Sequence, residues 1–292
     1  MTYINLIIGG KGFIGSFIMN ELKRKRQNVF VIDRLDDSNF EDVSKKLISK
    51  IELKKIKILK LYQFGAITEW KKIHQDPINF EKDSIRLMNN FIKLKSRIPI
   101  PFSTIYPSSG KVYLKSNNPL SENYKTNPTT LLGSVKLKIE NLLIENRLDF
   151  EKLLICRIFN VYGPNQKNSF LVPTIIRQLK DSNKQNIELG NLYDKRDYLY
   201  VTDVASAVLT AADKIDLLNE IEIVNVGSGN GTDALTITNI LKDYFNSKKK
   251  VITVSEKIRV DENPVEIANN KKLRELGWLN KISLKKGLKN LL

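Results

Sequence analysis

Three glycines and one carboxylate near the amino terminus carry the clearest chemistry in the chain. The apolar run Asn5-Leu6-Ile7-Ile8 leads into Gly9-Gly10-Lys11-Gly12-Phe13-Ile14-Gly15, and Asp33 follows the last of these glycines by eighteen residues. Glycines so spaced leave main-chain N–H groups bare for a pyrophosphate, the helix that follows adds its positive end, and an acid ~20 residues further on accepts from an adenosine ribose. Gly9 suits the tight turn, Gly12 the approach of phosphate and Gly15 the packing of helix on strand, with Phe13 and Ile14 opening the helix. Together these residues predict a dinucleotide site. A carboxylate at Asp33 repels a 2′-phosphate and favours NAD over NADP, although Arg34 beside it and Lys11 in the loop are cations able to offset that repulsion.

Such a loop functions only if regular elements hold it, and hydrophobic periodicity supplies them. Residues 4–8 read as a buried parallel strand, and Phe13, Ile14, Phe17, Ile18 and Leu22 then recur at helical spacing. A second apolar strand at 29–32 ends at Asp33. A polar helical stretch runs to about Lys55, and the strand 56–64 ends at Phe64-Gly65-Ala66, which places those three residues at a wall of the ligand site. Residues 83–95 repeat at helical spacing, and the strand 102–106 stops at Pro107-Ser108-Ser109-Gly110. Ligands of open parallel sheets bind at the carboxyl ends of strands, so Ser109 is a candidate hydrogen-bonding group, while serines in a Pro/Gly turn also serve simply to form the turn. Beyond Gly163-Pro164 the pattern shortens: a helix at 170–180, a strand at 187–189, and a helix at 203–212 returning to the sheet.

The expected fold is α/β: a Rossmann-type doubly wound parallel sheet with a smaller C-terminal α/β substrate lobe. The expected division assigns 1–163 to the dinucleotide-binding domain, with 196–218 returning to it, and assigns 164–195 and 219–292 to the lobe. With 292 residues, 41% of them hydrophobic, the chain can bury such a core. There is neither an apolar run long enough for a membrane span nor a signal-peptide pattern at the start, so a cytoplasmic protein is expected. The net charge of +16 is dispersed, without interleaved aromatic and basic residues, which disfavours nucleic acid as the main ligand. Cys156 lies in an apolar strand-like run as a core residue. His74, the one histidine, has no Cys or carboxylate partners at ligand spacing, so no metal site is expected, and Ser-His-Asp hydrolysis lacks support.

Further motifs stack in order along the chain: Ser108-Ser109-Gly110-Lys111-Val112-Tyr113, Pro119-Leu120-Ser121-Glu122, 157–164 (Arg-Ile-Phe-Asn-Val-Tyr-Gly-Pro), Arg196-Asp197-Tyr198-Leu199-Tyr200-Val201-Thr202-Asp203, Asn225-Val226-Gly227-Ser228-Gly229 and Leu276-Gly277-Trp278. With the glycine loop, this series resembles the extended short-chain dehydrogenase/reductases, the NAD-dependent nucleotide-sugar epimerases and dehydratases, nearly end to end. The resemblance implies that Ser109 and Lys136 act at the reacting sugar, Lys136 also holding the nicotinamide ribose, within Leu132-Gly133-Ser134-Val135-Lys136. It also implies a tyrosine where this chain has Leu132, one helical turn before Lys136. Leucine exchanges no proton, so another group carries it, with Tyr106, Tyr113 and Tyr124 the nearby phenols, or else the protein is a catalytically silent binder.

The resemblance further places Arg196, Arg259 and Asn160 at the diphosphate of a nucleotide-diphosphate sugar, a role for which an arginine's fork of donors is suited. Arg157, inside a strand, reads rather as half of a structural ion pair. Family dehydratases carry an Asp-Glu pair where this chain has Gly110 and Lys111, which leaves a 4-epimerase or 4-keto reductase in surface-polysaccharide precursor synthesis. The stretch between Asp33 and Phe64 looks short for the family, consistent with a trimmed strand and helix. Helices at 83–95 and 134–146 imply a homodimer, with Phe91, Leu94, Ile139, Leu142 and Leu143 as contact positions that burial inside the monomer explains equally well.

Overall fold

The structure is a computed structural model and describes residues 2–292 except 34, 37, 55, 68–72, 74 and 99–100. Among the described residues the strands are β1 (Thr2–Ile8), β2 (Val29–Ile32), β3 (Ile56–Gln63), β4 (Ser103–Ser109), β5 (Leu153–Ile158), β6 (Asn160–Tyr162), β7 (Asn186–Leu189), β8 (Lys195–Tyr200), β9 (Ile221–Val226), β10 (Gly231–Thr232), β11 (Lys250–Thr253) and β12 (Val265–Glu266). The helices are α1 (Phe13–Arg24), α2 (Phe40–Lys54), α3 (Pro77–Arg97), α4 (Leu131–Glu145), α5 (Leu171–Lys180), α6 (Val201–Asp213), α7 (Ala234–Tyr244), α8 (Lys271–Glu275) and α9 (Leu284–Lys289).

Six strands form one parallel sheet in the order β2-β1-β3-β4-β5-β9. The chain leaves β1 for β2 on one side and, after the single helix α2, returns to β3 on the other. That reversal opens a crevice beyond the carboxyl ends of β1 and β3, where an open α/β sheet binds ligands. The trimmed reading of this stretch is what the sheet displays, with β2 as its edge.

Helices cover both faces. Leu47, Phe80, Met88, Phe91, Leu94, Val135, Ile139 and Leu143, from α2, α3 and α4, pack on Leu6, Ile8, Leu61 and Ile155 of the sheet. On the opposite face Ile18, Leu22, Val204 and Val208 of α1 and α6 meet Ile7, Tyr62, Leu154 and Cys156. Strands buried on both sides read as continuous apolar runs, which is why β1 and β5 show no alternation. A third core of Val172, Ile175, Ile187, Ile237, Leu241 and Leu288 closes the smaller lobe. There β8 lies between β10 and β12 and also pairs with β6, while β7 pairs with β11.

The boundaries differ from those expected. β9, expected in the lobe with 219–292, is the sixth strand of the main sheet, paired along its length with β5. Leu273 and Trp278 likewise pack on the α1/α6 face. The reason is topological: α6 packs on the sheet, and the strand that follows a covering helix continues that same layer. Conversely β6 and β8, expected in the dinucleotide domain, belong to the small sheet.

A buried ion pair ties three elements of the main domain beneath the crevice. Arg157 on β5 gives Glu140 on α4 a two-pronged contact, Nη2 to Oε2 at 2.7 Å and Nε to Oε1 at 3.1 Å, and Ser108 on β4 donates to the same carboxylate. Arg157 is thus the structural residue that its strand position implied. Breaking one partner of a buried pair strands the other charge, so Arg157→Met is expected to lower unfolding free energy by about 3–5 kcal/mol in denaturant titration, and adding Glu140→Met to restore most of that loss.

Candidate functional site

The loop after β1 is fastened to both neighbouring strands before any ligand is considered. Gly9 N–H donates to the Ile32 carbonyl at 2.7 Å, and Phe64 N–H donates to the Ile8 carbonyl at 2.8 Å. Gly9 has φ +79°, and a Cβ there would lie 2.5 Å from the Gly65 nitrogen; one on Gly15 would lie 2.3 Å from the Gly9 oxygen. The two turns therefore touch main chain to main chain. Gly12 precedes α1 as its cap residue and supplies no side-chain partner, which leaves the first-turn amides without the side-chain acceptor that normally satisfies them. Bare backbone donors of this kind are able to hold an anion, and the Phe64-Gly65 turn abuts them at Gly9. Asp33 ends β2 at the rim of this corner, half exposed, with Lys11 Nζ 3.5 Å from its carboxylate. The residues present therefore fit the adenosine and pyrophosphate of a dinucleotide. Arg34, the other cation expected here, lies outside the described residues.

At the carboxyl end of β4, Ser109 caps a short 3-10 turn: its hydroxyl accepts from Lys111 N–H at 3.2 Å. Helix α4 presses on that turn, since a Cβ on Gly133 would sit 2.2 Å from the Lys111 carbonyl oxygen. That contact fixes the rotation of α4 and with it the placement of Leu132 and Lys136. Lys136 is buried and its ammonium donates to the Pro107 carbonyl at 2.7 Å and to the Tyr106 hydroxyl at 3.3 Å. Burial lowers its pKa to about 8, against the opposing pull of Glu140 one turn along the helix.

The three phenols considered for the proton have different fates. Tyr113 is wholly buried, donates to Asn225 Oδ1 at 2.7 Å and lies under the Arg157 guanidinium; burial pushes it up to about 12. Tyr124 donates to the Lys115 carbonyl. Among the described residues only Tyr106, of these three, touches Lys136. Burial raises its pKa well above the ordinary value, so its hydroxyl is neutral and protonated. Tyr106, Leu132 and Lys136 line, with Gly65, Ala66 and Met88, a cavity of about 10 Å³, room for one water.

The substrate lobe carries its charges in one cluster. Asn160 on β6 is paired with Tyr198 of β8, and Arg196 on β8 is paired with Glu266 of β12. Arg196 Nη2 lies 3.1 Å from Glu262 and 3.2 Å from Asp194, and its Nε lies 3.6 Å from Glu266. Arg259 reaches Glu262 at 3.0 Å, and Lys111 lies 3.4 Å from both Glu262 and Glu266. The structure thus brings Arg196 and Arg259 together on one carboxylate, with Lys111 crossing from the Ser109 turn. Glu262, Glu266 and the role of Lys111 were missed in the sequence; the available signal was an acid three residues after Arg259 and a lysine two after Ser109.

Phe91, Leu94, Ile139 and Leu143, offered for a dimer contact, are buried within the monomer, and Leu142 is partly so. Cys156 is a buried core residue. His74 lies outside the described residues. Among the described residues no group of three or more His, Cys, Asp or Glu side chains is placed to hold a metal, and no helix is long and apolar enough to cross a membrane.

The chain is similar to a candidate UDP-glucose 4-epimerase of Methanocaldococcus jannaschii, 29% identical over 97% of this chain and 95% of that protein. It is also similar to a dTDP-4-dehydro-6-deoxyglucose reductase of Escherichia coli, 24% identical over 98% and 96% of the two chains. A solved UDP-glucose 4-epimerase of Thermotoga maritima with UDP-glucose superposes with a TM-score of 0.80 at 25% identity, covering 98% of this chain and 96% of that one. The sequence profile of the NAD dependent epimerase/dehydratase family matches residues 5–227, which span the glycine loop, Ser109, Lys136 and the Arg196 motif, and the chain belongs to that family.

Proposed function

We propose that the protein modifies a nucleotide-diphosphate sugar as an NAD-using 4-epimerase or 4-keto reductase, supplying precursors for surface polysaccharide. The observation that carries this reading is the placing of the Lys136 ammonium at the end of β4 beside the Gly65-Ala66 wall of the glycine corner, with Lys111 linking the Ser109 turn to the arginine cluster through Glu262. The relatives named above, an epimerase and a 4-keto reductase acting on UDP- and dTDP-sugars, support the substrate class. Gly110 and Lys111 follow Ser109, and Lys111 is engaged with Glu262 and Glu266, so this turn offers no acid/base pair for eliminating water. A homodimer and a cytoplasmic location remain part of the proposal.

A nicotinamide dinucleotide held at the glycine corner would supply hydride exchange with a sugar carbon; the chain must hold the sugar and handle the proton. Ser109 supplies a hydroxyl at the strand end, and Lys136 places a positive charge beside it. Tyr106 takes the proton role for which Leu132 is unsuited. Its neutral phenol, 3.3 Å from the Lys136 ammonium, delivers a proton through the one-water cavity to a 4-keto oxygen as the carbonyl is reduced, and the ammonium stabilises the phenolate left behind.

The second reading, a catalytically silent binder, is motivated by Leu132. Three measurements test these readings, and the second separates them. Calorimetry is expected to give an NAD or NADH dissociation constant of about micromolar or tighter, and absence of binding to either removes both readings. On a panel of UDP-, dTDP-, GDP- and CDP-linked hexoses and 4-keto hexoses, wild type is expected to turn over one member, with Tyr106→Phe lowering kcat about 10²–10⁴-fold while NAD affinity holds. Wild type inert where Leu132→Tyr is active establishes the silent binder instead. The third measurement is a pH profile. Activity that needs the Lys136 ammonium is present below its pKa and is lost as pH rises, so kcat/KM is expected to fall above about pH 8. Lys136→Arg, always charged, should lack that limb whatever its absolute rate.

A further inference from the structure

The arginines expected at a diphosphate are already engaged by an anion of the protein itself. Glu262 Oε2 lies 3.1 Å from Arg196, and its Oε1 lies 3.0 Å from Arg259 and 3.4 Å from Lys111. One carboxylate thus sits among three cations from three segments: the turn after Ser109, strand β8, and the loop before β12. Asp194 and Glu266 complete the cluster on Arg196, so three positive groups face three negative ones. A diphosphate entering this cluster meets no uncompensated charge.

We propose that Glu262 is a specificity-determining residue that occupies the ligand's anion position and must be displaced, so that only a group of two or more negative charges spanning Arg196 and Arg259 competes. The proposal rests on the reading of these arginines as a diphosphate site. The displacement has a physical route. The main chain of residues 258–262 is anchored by Ile258 N–H on the Ser255 carbonyl at 3.0 Å, Arg259 N–H on Asn191 Oδ1 at 2.8 Å, Asn191 Nδ2 on the Arg259 carbonyl at 3.4 Å, and the Thr129 hydroxyl on the Asp261 carbonyl at 2.6 Å. Glu262 side-chain rotation frees the cations without breaking any of these. Protonation does not open the site, because although burial opposes the charge, Lys111, Arg259 and Arg196 hold this carboxyl down at about 2. A competing anion is required, and a phosphate with more charge than a carboxylate supplies it. Lys111 makes the exchange consequential: released from Glu262, it stays beside Glu266 two residues after Ser109, so occupancy of the lobe is transmitted to the turn that carries the reacting hydroxyl.

Calorimetric titration with inorganic pyrophosphate and with UDP, which need no knowledge of the sugar, tests this. Glu262→Gln is expected to bind both about tenfold or more tighter than wild type, and to narrow the preference for UDP over UMP. Glu262→Asp, which keeps the charge but shortens its reach, should fall between them and serves if the Gln variant fails a thermal-unfolding check. Binding that is unchanged or weaker in these variants, while Arg196→Gln abolishes it, overturns the displaced-anion role and leaves the diphosphate site standing. Loss of pyrophosphate and UDP binding from wild type and every variant overturns the diphosphate reading itself and the proposal with it.

Discussion

Two turns of main chain pressed together with no side chain between them set the geometry of the whole crevice. The loop after β1 and the loop after β3 meet at Gly9 and Gly65, where a single methyl group would fall 2.5 Å from a backbone nitrogen. Because β1 and β3 are adjacent strands on which the chain reverses direction, this contact lies at the switch point of the sheet. It brings the amide-rich start of α1, the acid ending β2 and the wall ending β3 within reach of one ligand. Any residue larger than glycine at Gly9 would push the loops apart and also meet an unfavourable backbone angle.

The second requirement is an ammonium buried at the carboxyl end of β4, and a ladder of polar contacts beneath the sheet end secures it. Arg157 holds Glu140, Glu140 takes the Ser108 hydroxyl, and Lys136, one helical turn before Glu140, is left to donate to Pro107 and Tyr106. The carboxylate is occupied by Arg157 and Ser108, so the ammonium is not drawn into a closed pair and stays directed at the strand end. Structural and functional residues here differ only by which side of Glu140 they stand on. That division sets a deeply buried arginine of β5, paired with the carboxylate, beside a lysine of α4 whose burial tunes its proton.

Much of this was legible in the sequence where the cause is local. The spacing of Gly9, Gly12 and Gly15 announces the tight strand-to-helix turn, and the apolar runs place Asp33 after β2 and Ser109 at the end of β4. The burial of Arg157 and Cys156 followed from strands that are apolar on both faces. What failed to show depends on pairings across long separations. The membership of β9 in the main sheet rests on pairing with β5 some 70 residues earlier, and a short strand such as Ile221–Val226, interrupted by Glu222 and Asn225, looks the same in either lobe. Tyr106 meets Lys136 across 30 residues, and Lys111 meets Glu266 across 155, without any periodicity to announce it. The apolar positions of α3 and α4 show the same limit from the other side, since helical spacing reveals that a face is apolar but not what covers it.

The charge of the chain acts at two ranges that should not be conflated. A net charge of +16 spread over the surface attracts any polyanion at a distance and is screened within about 8–10 Å at ordinary salt. Inside the lobe the same sign of charge is cancelled: Arg196, Arg259 and Lys111 spend themselves on Asp194, Glu262 and Glu266. On the proposed diphosphate reading, attraction brings anions to the crevice without discriminating among them, and the cancelled cluster selects among them. Arriving charge must replace protein carboxylates one for one, with the geometry of two arginine forks, or leave the internal pairs as they are. A diphosphate meets that condition by spanning both forks; a single carboxylate gains nothing that Glu262 does not already supply. Long-range charge thus bears on the rate of encounter, and short-range compensation bears on selection, which is why a strongly basic protein need not bind nucleic acid at its functional cleft.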